Sequence, residues 1–351
     1  MQTMAPTELD TVLSPEFLSQ ALGQAYPGVQ VESLRIVETQ VTVATKIRFA
    51  VTYRGDVPPE IPRAFCVKGF FGESGAAFLG SGASETEVNF YRQMAPSMPL
   101  RLPRAVYAEI DPATRHGLLL MEDMVPAGTR FLTALEPYSP AQAEASLDQL
   151  ACLHAQTWNS KNLETQSWLR PQLPRFAGQP RIMPEAMIDS LLDGARGEGL
   201  TPEIKRAARI YQGLQALSEL DAAKHPCVLH GDAHAGNVFE TPQGTGLIDW
   251  QITQIGPWSL DAAYHIAAVL TGPERERSER RLLQHYLQRL AAYGAEPPEW
   301  EDAWKLYRQS LVYGFFLWSI TRRVAEEITL QFVQRLGNAV MAHRSFELLG
   351  V

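Results

Sequence analysis

The chain has 351 residues, 45% of them hydrophobic and 20% charged, and a formal net charge of −8. That acidic balance, with no lysine–arginine stripe, argues against a nucleic-acid partner. Leu311–Ile320, the most apolar stretch, is too short to span a bilayer, and Cys66, Cys152 and Cys227, scattered among apolar neighbours, exclude a disulfide framework and fit a cytoplasmic protein.

The chain opens Met1–Pro6 without the basic start and apolar run of a signal peptide. Ser14 followed by Pro15 predicts a helix that stops near Gly28. From Val31 to Phe71 the pattern turns to strands: Ile47, Phe49, Val51 and Tyr53 alternate with polar or small residues before the turn Arg54–Asp56. A helix is expected over Ser84–Met94, then a hairpin of Ala105–Ile110 and Gly117–Glu122. Beyond Met124 the pattern is helical. Ser139–Pro140 opens a helix with Leu147, Leu150, Ala151, His154 and Trp158 on one face. Asn159–Pro184, rich in proline and arginine, reads as a surface loop. Thr201–Glu203 starts a further helix with Ile204, Ala208, Tyr211, Leu214 and Leu217 as its inner stripe. Helices near 273–293, 298–325 and 326–348 complete an α+β chain with a strand-rich first part and a helical second part. His154, on an apolar helix face, reads as a hydrogen-bonded core histidine.

The chemistry concentrates in Val228–Asn237 and Gly246–Gln251. Asp232 and Asn237 lie five apart across a loop that carries Gly236, and Asp249 follows twelve residues later at the end of an apolar strand. Phosphoryl transfer needs a carboxylate to accept the proton of the attacking hydroxyl, and hard oxygen ligands for magnesium on the polyphosphate. This set supplies both. On a strand, His230, Asp232 and His234 would instead share one face and could bind zinc or iron. Gly231 and Gly236 favour a loop, and no His or Cys cluster nearby completes such a site.

His230–Gly231–Asp232 with Asn237, then Asp249–Trp250–Gln251, resembles the H-R-D-x-x-x-x-N and D-F-G elements of kinases. More closely it resembles the aminoglycoside phosphotransferase/choline kinase family, distant relatives of the protein kinases. That resemblance implies a protein-kinase-like bilobal fold. Residues 1–122 would form a nucleotide-binding lobe, and 123–351 a helical lobe with the catalytic loop (228–239), the metal loop (246–252) and the acceptor pocket. It implies ATP and Mg2+ as cofactors and a small-molecule hydroxyl as acceptor. Asp232 would be the base, Asn237 and Asp249 the magnesium ligands, His230 a structural brace, and Asp261 a buried brace of the catalytic loop. Lys68, in the apolar strand Phe65–Lys68 where a charge is costly unless paired, matches the phosphate-gripping lysine, with Cys66 on the same strand face. Glu87 matches its ion-pair partner. Met121–Met124 falls at the hinge, where the Glu122 carbonyl and the Met124 amide would hold adenine.

Two departures separate the chain from protein kinases. Glu38–Thr45, where a glycine-rich loop would lie, has no glycine; Thr39, Thr42 or Thr45 would meet phosphate, or the stretch is an ordinary hairpin. Gln251 in place of the D-F-G glycine resembles the ecdysteroid-kinase-like branch. The late helices are rich in aromatic residues (Trp258, Tyr264, Trp300, Trp304, Tyr307, Tyr313, Phe315, Phe316, Trp318), mostly core by their spacing, with a subset expected to line an apolar acceptor pocket or box an amine. A protein kinase and a non-catalytic nucleotide-binding module are the alternatives. The first lacks an A-P-E segment after Asp249, and the second is disfavoured by the intact Asp232, Asn237 and Asp249.

Overall fold

Alternation of apolar and polar side chains builds the first of two units in the computed structural model, which describes residues 4–72, 75, 81–221 and 225–351. This unit comprises Met1–Met98 and Leu102–Arg130; the second comprises Pro99–Arg101 and Phe131–Val351. Strands β1 (Val31–Val41), β2 (Thr45–Tyr53), β3 (Ala64–Gly69), β4 (Ala105–Ile110) and β5 (Gly117–Glu122) form one antiparallel sheet in the order β1–β2–β3–β5–β4. Ile47, Phe49 and Val51 of β2 point to one side, as period two requires. There they bury against Phe65, Val67, Leu118 and Leu120 and against Phe17, Leu18 and Leu22. β1 is an outer strand, and its pairing with β2 slips twice, between Val31 and Ser33 and between Ile36 and Glu38.

A short helix α1 (Leu9–Val12) precedes α2 (Pro15–Ala25). Ser14 accepts the Phe17 amide at 3.2 Å, a cap of the kind that contributes about 1 kcal/mol. The helix ends at Ala25, three residues before Gly28. The helix expected over Ser84–Met94 is α3 (Ala83–Asn89), continued through Phe90–Met94 as a π-turn.

In the second unit, α4 (Pro140–Gln156) starts with a capping box between Ser139 and Gln142 and buries Leu147, Leu150, Ala151 and His154. The stretch Asn159–Pro184 is not a plain surface loop. It contains α5 (Leu173–Ala177) and buries Leu163, Leu169, Leu173, Phe176 and Met183. After α6 (Glu185–Asp193), Pro202–Lys205 forms a 3-10 turn rather than the first turn of a helix. The chain turns extended at Arg206, and α7 (Ala207–Asp221) begins afresh. Ile204, Tyr211, Leu214 and Leu217 are buried as the expected stripe has them, but Ala208 is exposed, and Ala207 and Ile210 take the inner positions beside the break.

Strand β6 (Pro226–Leu229) pairs with β9 (Gln254–Pro257), and β7 (Val238–Thr241) pairs with β8 (Gly244–Leu247) as a hairpin. Helix α8 (Ser259–Val269) is buried along its whole length. It is followed by α9 (Gly272–Ala292), α10 (Trp300–Ile320), α11 (Glu326–His343) and α12 (Ser345–Leu349). Helix α10 stops at Ile320, short of residue 325, and Arg344 in the left-handed region divides α11 from α12. Among the described residues no helix is long and apolar enough to cross a membrane.

Candidate active site

The loop after β6 is pinned from below by one carboxylate. Asp261, on the first turn of α8 and fully buried, accepts the His230 amide at 2.6 Å and the Gly231 amide at 2.9 Å. His154 of α4 approaches the same carboxylate with Nε2 at 3.1 Å, while its Nδ1 lies 2.6 Å from the Tyr286 hydroxyl. It is a hydrogen-bonded core histidine. Gly231 turns the chain with φ +84°, and a Cβ there would stand 2.2 Å from the Ile252 carbonyl oxygen. Only glycine fits that approach.

His230 is buried and fully used. Its Nδ1 accepts the Asp232 amide at 3.2 Å, so Nε2 carries the proton and donates to the Ile248 carbonyl at 2.9 Å. Burial pushes its pKa down and keeps the ring neutral. With both nitrogens committed, His230 has no lone pair for a metal, and the zinc or iron alternative fails there. The ring instead ties the loop that carries Asp232 to the segment that leads into Asp249.

Asp232 stands between three donors. Its Oδ1 accepts from the Tyr264 hydroxyl at 3.0 Å, and its Oδ2 lies 3.2 Å from Asn237 Nδ2 and 3.6 Å from His234 Nε2. The His234 tautomer follows from its other nitrogen, which accepts the Gly236 amide at 3.0 Å. Burial acts to raise the Asp232 pKa, but the neighbouring His234, whose Nε2–H points at the carboxylate, outweighs it and leaves the carboxyl below its ordinary value. The side chain is 30% exposed, so an ionised, partly accessible acceptor faces outward from the loop.

Asn237 is oriented by the same neighbours. Both atoms it meets, the Asp232 carbonyl at 2.8 Å and Oδ2 at 3.2 Å, are acceptors. The group facing them must therefore be the amide NH2, and the amide oxygen is turned away. Asp249 lies two residues beyond β8 with φ +68°, a conformation costly for a residue with a Cβ. An amide oxygen and a carboxylate are the hard donors that magnesium takes, usually completed by water and substrate phosphates rather than a protein cage. Among the described residues no group of three or more His, Cys, Asp or Glu could hold a metal, and this donor set fits magnesium on a polyphosphate.

In the first unit, Lys68 and Glu87 meet as expected. Lys68 Nζ lies 2.9 Å from Glu87 Oε1 and 2.7 Å from Oε2, and both residues are 4% exposed. Cys66, two residues earlier on β3, is partly exposed, and burial pushes its thiol up to about 11. Glu122 ends β5, and its carboxylate accepts from the Tyr26 hydroxyl at 2.5 Å and from Arg104 at 2.9 Å. Met124 precedes the 3-10 turn Val125–Ala127. Asp123 between them is held by Arg48 Nε at 3.0 Å, and the same guanidinium reaches Glu38 of β1 at 2.6 Å. Of the three threonines of the β1–β2 hairpin, Thr39 lies within β1, Thr45 starts β2, and Thr42 turns back on the Ala44 carbonyl at 3.3 Å.

The aromatic residues of the late helices are core. Trp258, Tyr264, Trp304, Tyr307, Tyr313, Phe315, Phe316 and Trp318 are all buried, so they do not form an open apolar wall or an amine box. Trp300, partly exposed, stacks on Trp304, and Arg280 covers Trp304 at 4.4 Å. Sequence reasoning counted Tyr264 and Trp318 with this core and missed that Tyr264 touches Asp232 and that Trp318 bonds the same hydroxyl. Tyr264 lies one turn beyond Asp261, on the same helix face, which was the available signal. After Asp249 the chain passes through β9 directly into α8, which leaves no room for an activation segment.

These features define an α+β protein of the kinase-like kind. A sequence model of the phosphotransferase enzyme family matches residues 81–326, and the chain belongs to that family. The structure is similar to choline kinase from Cryptosporidium parvum, with a TM-score of 0.56, 11% identity and 95% of each chain covered. It is also similar to a candidate aminoglycoside phosphotransferase from Ralstonia eutropha, with a TM-score of 0.52, 14% identity, and 96% and 98% covered. Methylthioribose kinase from Bacillus mycoides is 31% identical over 70 residues, 20% of this chain. That match spans only 18% of the curated relative's length.

Proposed function

We propose that the protein is a magnesium-dependent kinase that moves the γ-phosphoryl group of ATP to a hydroxyl of a small molecule. The observation that carries this reading is the paired orientation of Asp232 and Asn237. The Asn237 NH2 is spent on Asp232, which leaves its oxygen for a cation beside an ionised carboxylate. Asp232 accepts the proton of the attacking hydroxyl, and Asn237 and Asp249 hold the metal. When bound, magnesium would offset the charge on the transferring phosphoryl group. Lys68, oriented by Glu87, grips the nucleotide phosphates. The Glu122 carbonyl and the Met124 amide hold adenine, and His230 and Asp261 fix the loop. Three reduced cysteines suit work in the cytoplasm.

The test is a MgATP consumption screen against a broad panel of hydroxylated small molecules. Asp232→Asn is expected to abolish transfer while ATP binding survives, and Asp249→Ala to weaken magnesium-dependent nucleotide binding. Near-normal transfer by Asp232→Asn would overturn the assignment. Labelling of a generic protein acceptor in place of small molecules would favour a protein kinase.

A further inference from the structure

Two tyrosine hydroxyls touch the catalytic loop, and the chemistry of their partners fixes which way each one points. Trp318 Nε1 lies 2.6 Å from the Tyr264 oxygen, and an indole N–H can only donate. Tyr264 therefore accepts from Trp318, and its own proton is directed to Asp232 Oδ1 at 3.0 Å. The second chain runs the same way. Gln254 Nε2 donates to the Tyr313 hydroxyl at 2.7 Å, and Tyr313 donates to the Gly231 carbonyl at 2.8 Å. The two rings pack edge-on with centroids 6.2 Å apart.

A carboxylate on its terminal torsion rotates in a broad well. Asn237 and His234 both approach Oδ2, at 3.2 and 3.6 Å, and neither contacts Oδ1. A donor on Oδ1 fixes the carboxylate plane. Burial, and then the Asp232 charge, pushes the Tyr264 hydroxyl far above its ordinary pKa, so it keeps its proton. Trp318 is in turn held by the Phe332 ring, 4.1 Å from its own, and His234 stands edge-on to both.

We propose that Tyr264, set by Trp318, is a positioning residue that holds the Asp232 carboxylate in the orientation in which it accepts the acceptor's proton. The inference rests on Asp232 being the base. It adds a donor chain from α10 through α8 to the reacting carboxylate. Displacing a reacting group from its productive geometry commonly costs on the order of a hundredfold in rate.

The experiment compares the full chain with Tyr264→Phe, Trp318→Phe, the double variant and Asp232→Asn. MgATP is the phosphoryl donor and water the acceptor, and kcat, the KM for MgATP and the thermal midpoint are measured for each. Tyr264→Phe is expected to lower kcat about 10- to 100-fold with little change in KM or midpoint. Trp318→Phe should lower kcat less, and the double variant should match Tyr264→Phe alone, because both changes act through one hydroxyl. Multiplying losses would overturn the donor chain. A fall in kcat, MgATP affinity and midpoint together in Tyr264→Phe would overturn it too, as a folding effect. If Tyr264→Phe stays within twofold of the parent while Asp232→Asn is dead, the positioning role fails and the base stands. If Asp232→Asn remains active, the base assignment falls and the positioning role with it.

Discussion

Asp261 accepts the amide of His230 at 2.6 Å and has no solvent exposure, so the loop that carries Asp232 is anchored by a carboxylate thirty-one residues away in the chain. The same carboxylate also takes the Gly231 amide. Asp261→Asn presents an NH2 group to one of these donors. Hydrogen bonds to a charged group are each worth about 1.5–3 kcal/mol, so a stability loss of about 2–4 kcal/mol is expected. Urea denaturation checks it, with an unchanged slope showing that the fold is kept.

The Lys68–Glu87 pair predicts an asymmetry. Glu87→Gln or Lys68→Met alone removes the main partner of a buried charge, which typically costs about 3–5 kcal/mol. The double variant Lys68→Met/Glu87→Gln removes both charges and should recover most of that stability. Nucleotide affinity should not recover if, as proposed, the Lys68 amine grips the phosphates. Denaturant midpoints read the first effect and ATP titration calorimetry the second.

Asp249 should show stability and function pulling apart. Its φ of +68° lies where L residues are strained, and glycine relieves that strain by about 1 kcal/mol. Asp249→Gly is therefore expected to keep an unfolding midpoint close to the parent's, the relief being offset by the freer unfolded chain, while magnesium no longer strengthens ATP binding. Parallel ATP titrations with magnesium and with EDTA decide it. Equal enhancement by magnesium in parent and variant would remove Asp249 from the ligand set.

Much of this arrangement is legible in the residue order, and what escapes has physical reasons. Ser14 and Ser139 carry local caps whose hydrogen bonds close within three residues, so the helix starts at these positions follow from adjacent side chains. Gly231, Asn237 and Asp249 are likewise read from spacing within one short segment. The break at Arg206 has no such marker. Thr201–Pro202 is a sound helix start, and the turn it opens stays 3-10 before the chain turns extended at Arg206. Trp318 and Tyr264 meet across fifty-four positions, and an aromatic residue on a buried helix face gives no sign that its polar tip serves a neighbouring loop.

Acid should destabilise the second unit through His265. Burial pushes this imidazole down to about 4, against an ordinary value near 6.5 in the unfolded chain. Its Nδ1 donates to the Ala233 carbonyl at 2.8 Å, so Nε2 must accept from the Ser146 hydroxyl at 2.6 Å, and neither site has room for a further proton. Between those two pH values the unfolded chain binds more protons, so stability is lost as pH falls from about 6.5 toward about 4, by about 3 kcal/mol in all. Denaturation midpoints at pH 7.5, 6.0 and 5.0 test the slope. His265→Gln should flatten it at the expense of stability at pH 7.5.

The outer strand β1 leaves Ile36, Val37 and Val41 exposed, a composition that invites sheet-to-sheet growth between molecules. Its two register slips work against that. An extra residue in a strand bends and twists it, so a neighbouring copy cannot lay a straight strand along it. Glu32, Arg35 and Glu38 add charge to the same rim. Straightening this edge, by deleting Val37 or neutralising its charges, would therefore be felt as insolubility during expression rather than as altered kinetics.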